Sequence, residues 1–212
     1  MPDLKLIKID DSNRADHFYL DETDKCYFFG EYTARKWPSF SKTNQLIINL
    51  KKTMDKVSQI DWPYKEKAIC ECAELIRDSI EYNAKVTFIP VPPSKSKEDP
   101  LYDDRLVKIL KLATESWTNP DIRELIIQTK STDPTHLSYN GIPRPNPYML
   151  QSIYSVDDNL LYPEPSGIVI FDDVLTTGCH YKAVKNKIRN YFKSVPIAGL
   201  FIARRRIERN GF

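Results

Sequence analysis

The sequence predicts a mainly parallel, twisted α/β sheet flanked by helices, with an N-terminal extension of a β-hairpin and two helices. Three observations lead there. Val86-Thr-Phe-Ile-Pro-Val91, Gly167-Ile-Val-Ile-Phe171 and Pro196-Ile-Ala-Gly-Leu-Phe-Ile-Ala203 are apolar runs without the alternation of a half-exposed strand, so each is buried on both faces. Stretches with apolar residues at helical spacing separate them, giving strand and helix in turn. Right-handed crossovers between parallel strands then gather the strand ends and their loops at one edge, where folds of this class bind ligands.

Each element has its own local reason. Segments 4–9 and 17–20 have strand composition, and Lys25-Cys-Tyr-Phe-Phe-Gly-Glu-Tyr32 is an aromatic strand. Asp21-Glu-Thr-Asp24, between the last two, suits a hairpin loop. Leu46, Ile47, Leu50, Met54 and Val57 predict a helix, with Ser41 or Thr43 available as its N-cap. A second helix begins at Pro63, which a first turn tolerates, and buries Ala68, Ile69, Cys72, Leu75, Ile76 and Ile80.

The rhythm changes at residue 85. Strand 86–91 runs into a proline-rich loop over 92–100, and a helix follows on Leu106, Val107, Ile109, Leu110, Ala113 and Trp117. Ile122-Arg-Glu-Leu-Ile-Ile127 is the next strand, and residues 128–147 form a polar, proline-punctuated stretch too long for an ordinary connector. Strand 167–171, a helix over Ala183, Val184, Ile188 and Phe192, and strand 196–203 complete the pattern. Residues 1–84 read as an extension or hood and 85–212 as the core, together one compact domain.

Composition narrows the function classes. The chain has 212 residues, 41% hydrophobic and 28% charged, with a formal net charge of +2. That excludes collagen, low-complexity disorder and a disulfide-knotted miniprotein. It also leaves no overall field to attract nucleic acid or an anionic membrane. Ala203-Arg-Arg-Arg-Ile-Glu-Arg209 is the one basic cluster and reads as a solvated terminus. No apolar run reaches the ~20 residues of a membrane span, and Met1-Pro-Asp-Leu-Lys-Leu-Ile-Lys-Ile-Asp10 lacks the apolar core of an export signal. Cys26, Cys70, Cys72 and Cys179 are scattered without a paired CxxC spacing, as expected of reduced thiols in a cytoplasmic protein. Glycine is scarce, 6 residues against 15 prolines, so the few places where the backbone can bend sharply or approach a ligand stand out.

One segment carries chemistry. In Ile168-Val-Ile-Phe-Asp-Asp-Val-Leu-Thr-Thr-Gly-Cys-His180 a buried strand delivers Asp172 and Asp173 to its C-terminal end, and a Thr-Thr-Gly turn opens a helix. Backbone N–H groups in that turn and at the helix N-terminus, through Cys179 and His180, make a place for a phosphate. The hydroxyls of Thr176 and Thr177 add donors, and Gly178 lets the backbone come close. A carboxylate just before such a turn can accept hydrogen bonds from vicinal ribose hydroxyls. Phosphate on one side and a diol on the other describe a ribose 5-phosphate. The Gly-x-x-x-x-Gly-Lys-Ser/Thr and Gly-x-Gly-x-x-Gly loops of other nucleotide sites are absent from the sequence.

The segment Ile168–Gly178 resembles the phosphoribosyl-pyrophosphate signature of the type I phosphoribosyltransferases, a family with a Rossmann-like sheet. Val91-Pro-Pro-Ser-Lys-Ser-Lys97 resembles the family's pyrophosphate loop, and the two together are most similar to the ComF-type, competence-associated branch. The resemblance covers residues 85–203, with His180 standing where the family usually has a small hydroxyl residue. It implies transfer of a phosphoribosyl group from phosphoribosyl pyrophosphate to a nitrogen acceptor with release of pyrophosphate. Asp172 and Asp173 would face the ribose. Mg²⁺ would come with the substrate and bridge hydroxyls and pyrophosphate, and Ser94, Lys95 and Lys97 would hold the pyrophosphate. Residues 128–147 would close as a lid carrying Lys130 and Arg144. Independently of the resemblance, Asp103-Asp104-Arg105 opens a helix at the same sheet edge, where the acids suit the helix N-terminus and Arg105 could reach toward the pyrophosphate side. The alternative is a non-catalytic module that senses phosphoribosyl pyrophosphate or a ribose 5-phosphate nucleotide and acts as a regulator or effector in a larger complex; on either reading a homo-oligomer or a protein partner is expected.

Overall fold

The computed structural model describes residues 4–132 and 146–208. Eight strands and five α-helices succeed one another there: β1 (Ile7–Lys8), β2 (Lys25–Tyr32), α1 (Lys42–Leu50), α2 (Pro63–Ser79), β3 (Thr87–Pro90), α3 (Arg105–Ala113), β4 (Asp121–Ile122), β5 (Ile126–Gln128), α4 (Pro147–Ile153), β6 (Tyr154–Val156), β7 (Ile168–Leu175), α5 (Cys179–Arg189) and β8 (Ile197–Arg205). Six strands form one sheet in the order β1-β2-β8-β7-β3-β4, and β5 and β6 pair separately. Every neighbouring pair in the large sheet is parallel except β1 with β2. The fold is therefore α/β with a mostly parallel sheet, as expected. Among the described residues no helix is long and apolar enough to cross a membrane.

Burial explains the central strands. All four residues of β3 are buried, and so are Ile170 and Phe171 of β7 and Leu200 to Ala203 of β8. The helices α1, α2 and α3 pack on one another along one side, while α4 and α5 pair on the other. Ser41 caps α1 by accepting from the Asn44 N–H at 3.0 Å. At Gly30 of β2 the helix α1 packs so near that a Cβ would lie 2.5 Å from Thr43 Oγ1.

The N-terminal third differs from the expected hairpin. Residues 17–20 form no strand and instead follow a short 3-10 turn at Arg14–Asp16. The antiparallel partner of β2 is β1, at Ile7 with Phe28 and Lys8 with Tyr27. On its other edge β2 pairs in parallel with β8, so the aromatic strand belongs to the main sheet. Cys26 and the consecutive Phe28, Phe29 and Gly30 are buried, as in a strand covered on both faces. Further corrections are local. Helix α1 stops at Leu50, and Met54–Lys56 is a separate 3-10 turn. Trp117 lies beyond α3, and the single strand expected over 122–127 is divided between β4 and β5. Helix α4 begins inside the proline-punctuated stretch because Pro147 sits in its first turn and Asn146 accepts from the Met149 N–H at 2.9 Å.

Candidate functional site

Topology places a crevice between β7 and β3. After β3 the chain leaves through α3 toward β4 on one flank, and after β7 it leaves through α5 toward β8 on the other. The loops leaving two adjacent parallel strands thus diverge, as at ligand sites of open α/β sheets. A cleft of about 1050 Å³ opens there. Its lining includes Ser94, Lys95, Lys97, Arg105, Asp172, Asp173, Thr176, Thr177, Cys179 and His180, so loops far apart in sequence meet at one place.

The turn after β7 has the backbone that its glycine allows. Gly178 sits at φ +82°, the N-cap of α5, and a Cβ there would meet Leu20 Cδ2 at 2.9 Å. The glycine is required by the left-handed conformation and by the side chain packed behind it. The 17–20 segment braces the turn from that side. The Tyr19 N–H donates to the Thr177 carbonyl at 2.8 Å, and His17 Nδ1 donates to the Thr176 carbonyl. Farther along α5, Lys182 pairs with Asp21 and Asp24, and Lys185 with Asp24. Residues 17–24 are thus fastened to the turn and to the helix it opens, leaving the turn's first N–H groups at the positive end of α5.

The two aspartates have separate surroundings. Asp173 is 3% exposed and engaged at both oxygens: Arg105 donates to Oδ2 at 2.6 and 3.2 Å, and Lys51 Nζ lies 3.1 Å from Oδ1. Those cations hold its carboxyl well below the usual carboxylate range despite burial. Arg105 also donates to Asp103 at 2.6 Å, and Asp103 accepts from the buried Lys65 at 2.7 Å. The result is a chain of alternating charge, Lys51–Asp173–Arg105–Asp103–Lys65, running through α1, β7, α3 and α2. Asp172 belongs to the other side. Its Oδ1 accepts from the Asp173 N–H at 2.8 Å, and burial together with the neighbouring Asp173 charge pushes its carboxyl up to about 7. Asp172 is the acid left open to a ligand.

His180 shares a 3.0 Å hydrogen bond with the Tyr154 hydroxyl through Nδ1. Burial lowers its ring to about 4, so it is neutral at pH 7 and offers hydrogen bonds without charge.

The basic loop is present but partly committed. Lys97 donates to Glu124 at 3.0 Å, and the Tyr102 hydroxyl donates to the same carboxylate at 3.0 Å. The Ser94 carbonyl accepts from Gln128 Nε2 at 2.5 Å and from the Thr132 N–H at 2.8 Å, tying this loop to residues 128–132. Lys130 is held there by its carbonyl, which accepts from Gln128 Nε2 at 3.0 Å, and its side chain does not line the cleft. Arg144 lies outside the described residues.

Sequence reasoning missed Lys51, Tyr154 and Arg205 in the cleft or its wall, and His17 behind the turn. Lys51, Tyr154 and His17 have no local signal, because pairing or packing between distant segments brings them in. Arg205, by contrast, belongs to the basic cluster read as a solvated terminus and is instead the last residue of β8, after the buried Ala203 and Arg204.

Counted over the described lining, five Lys or Arg side chains face six carboxylates. A diphosphate would not be neutralised by that balance alone. No cluster of three or more His, Cys, Asp or Glu able to hold a metal occurs among the described residues. Asp172, which the described residues leave without an ion-pair partner, is the cleft carboxylate whose chemistry would suit a hard cation such as Mg²⁺. Compared with known proteins, the chain matches no protein-family model and no curated protein.

Proposed function

We propose that this protein is a phosphoribosyltransferase of the type I kind, binding phosphoribosyl pyrophosphate with Mg²⁺ and transferring the phosphoribosyl group to a nitrogen acceptor with release of pyrophosphate. One observation carries the reading. A left-handed glycine opens α5 directly after the strand that bears Asp172, at the sheet's switch point, opposite a lysine-bearing loop.

The 5-phosphate lies in the turn 176–180, on its N–H groups and the hydroxyls of Thr176 and Thr177. Asp172 accepts from the ribose hydroxyls and places its negative charge beside the sugar. As the bond from the anomeric carbon to pyrophosphate breaks, positive charge grows on the ring and negative charge on the leaving group. Asp172 favours the first, while Lys95 and Lys97 offset the second. Bound Mg²⁺ supplies charge neutralisation of the pyrophosphate. Asp173 keeps Arg105 and Lys51 in register beneath the site. Catalysis on this plan is positioning and fixed charge, with no covalent intermediate on the protein.

A second reading, a non-catalytic sensor of the same ligand, is favoured by the commitment of Asp173 to Lys51 and Arg105, which leaves one carboxylate for the ribose. Pyrophosphate release from phosphoribosyl pyrophosphate with Mg²⁺ and a panel of bases and amines separates the two. Release that Asp172→Asn lowers at least ~100-fold supports transfer, the order expected on losing one preorganised charge. Binding that Asp172→Asn weakens, with no release for any acceptor, supports the sensor.

A further inference from the structure

Three consecutive arginines span the end of β8 at Arg205, and the structure treats them differently. Arg204 is paired with Asp16 and Glu31 and stacks over Phe28 at 5.3 Å, and Arg206 is paired with Glu31. Arg205 lines the cleft and has no ion pair or side-chain hydrogen bond among the described residues. Its Nε is shielded from solvent and without a partner. Two other arginines, Arg14 and Arg204, also have an orphaned Nε, but each places another nitrogen of the same guanidinium on a carboxylate. A shielded guanidinium donor without any acceptor is costly unless something supplies one.

The surroundings of Arg205 define what that is. In the sheet, β8 lies on one side of β7 and β3 on the other, so Arg205 and the loop bearing Lys95 flank the phosphate turn from opposite sides. The segment 15–19 is fixed between the turn and the end of β8. Tyr19 bonds the Thr177 carbonyl, and Asp16 bonds Arg204, the residue before Arg205. From this segment Phe18 lines the same cleft with its ring 81% exposed, standing edge-on to Tyr19 at 5.0 Å. An aromatic face left in water and an unpaired guanidinium lining one cleft suit a flat ring bearing an oxyanion.

We infer that Arg205 and Phe18 form a subsite for a planar aromatic carboxylate, which is the acceptor class of this cleft. The guanidinium takes the carboxylate through paired N–H donors, and the Phe18 ring takes the flat face. The identification as an acceptor rests on the function proposed above. The subsite itself rests on Arg205 and its neighbours.

The test is calorimetric titration of the full chain with pyridine carboxylates and uracil carboxylate, each against its uncharged carboxamide, with and without phosphoribosyl pyrophosphate and Mg²⁺. In the unmodified protein a carboxylate should bind at least tenfold more tightly than its amide. Arg205→Gln should erase that preference, Arg205→Lys should restore part of it, and both should bind phosphoribosyl pyrophosphate as the parent does. Equal binding of carboxylate and amide in the parent overturns the inference without any variant. Loss of phosphoribosyl pyrophosphate binding in a folded Arg205→Gln protein also overturns it, because Arg205 then serves the phosphates. Carboxylate selectivity in a protein that binds no phosphoribosyl pyrophosphate keeps the subsite and removes the proposed function.

Discussion

Asp172 and Asp173 are adjacent in sequence and differ in chemistry, because neighbouring strand residues face opposite sides of a sheet. Asp173 enters the charge chain, whereas Asp172 is desolvated beside its neighbour's charge and held up to about 7. An aspartate in an unfolded chain titrates near ~3.9. Between those values the folded protein keeps a proton that the unfolded chain has lost, so stability falls as pH rises through this window. Asp172→Asn should therefore melt above the parent at pH 8 and with it at pH 4, by about 2–4 °C for each kcal/mol relieved. A melting series over pH checks this. A ligand whose hydroxyls bond the ionised carboxylate should correspondingly bind better at pH 8 than at pH 6. At Gly178, alanine meets both a left-handed backbone and Leu20, so Gly178→Ala should cost about 1–3 kcal/mol in urea unfolding. Adding Leu20→Ala should not restore ligand binding, because the backbone strain remains. The aspartates and the glycine were legible in sequence as one motif. Their division of labour was not, since it depends on Lys51 and Arg105 arriving from other elements.

Elements are joined here by charge as well as by apolar packing. Lys65, 2% exposed on α2, reaches Asp103 and also donates to the carbonyls of Leu50 and Lys52, fixing the end of α1 against the start of α3. Removing one member leaves a buried charge without its partner. Arg105→Met should thus destabilise the protein by about 3–5 kcal/mol, and Arg105→Met with Asp173→Asn by less than the sum of the two single changes. Urea titrations of the three variants measure this. Strands β3, β7 and β8 could be read from sequence because burial on both faces leaves a continuous apolar signature. The pairing of β2 could not. Its neighbour β8 lies at the other end of the chain, and Asp21 and Asp24, which look like hairpin residues, close a turn that joins no hairpin and pair with Lys182 and Lys185. Acidic residues that suit a tight turn suit an ion-paired brace equally well.

At the scale of the whole molecule, the cleft exists because strand order reverses between β7 and β3 and because residues 17–24 hold the turn 176–178 against α5. The position of the cleft follows from the order of strands and helices, whereas Arg205 joins it through the pairing of β8 with β7 and Phe18 through the segment that braces the turn after β7. A ligand bound there draws on loops from most of the chain and should stabilise the fold as a unit. At a hundred times its dissociation constant, phosphoribosyl pyrophosphate with Mg²⁺ should add about 2.7 kcal/mol of stability, seen as a rise in melting temperature. The most direct test of the phosphoribosyl site is calorimetric titration of phosphoribosyl pyrophosphate with Mg²⁺ into the parent, Asp172→Asn and Gly178→Ala proteins. Binding by the parent that is weakened at least tenfold in both variants is the expected result. No binding by the parent, or equal binding by all three, would contradict it.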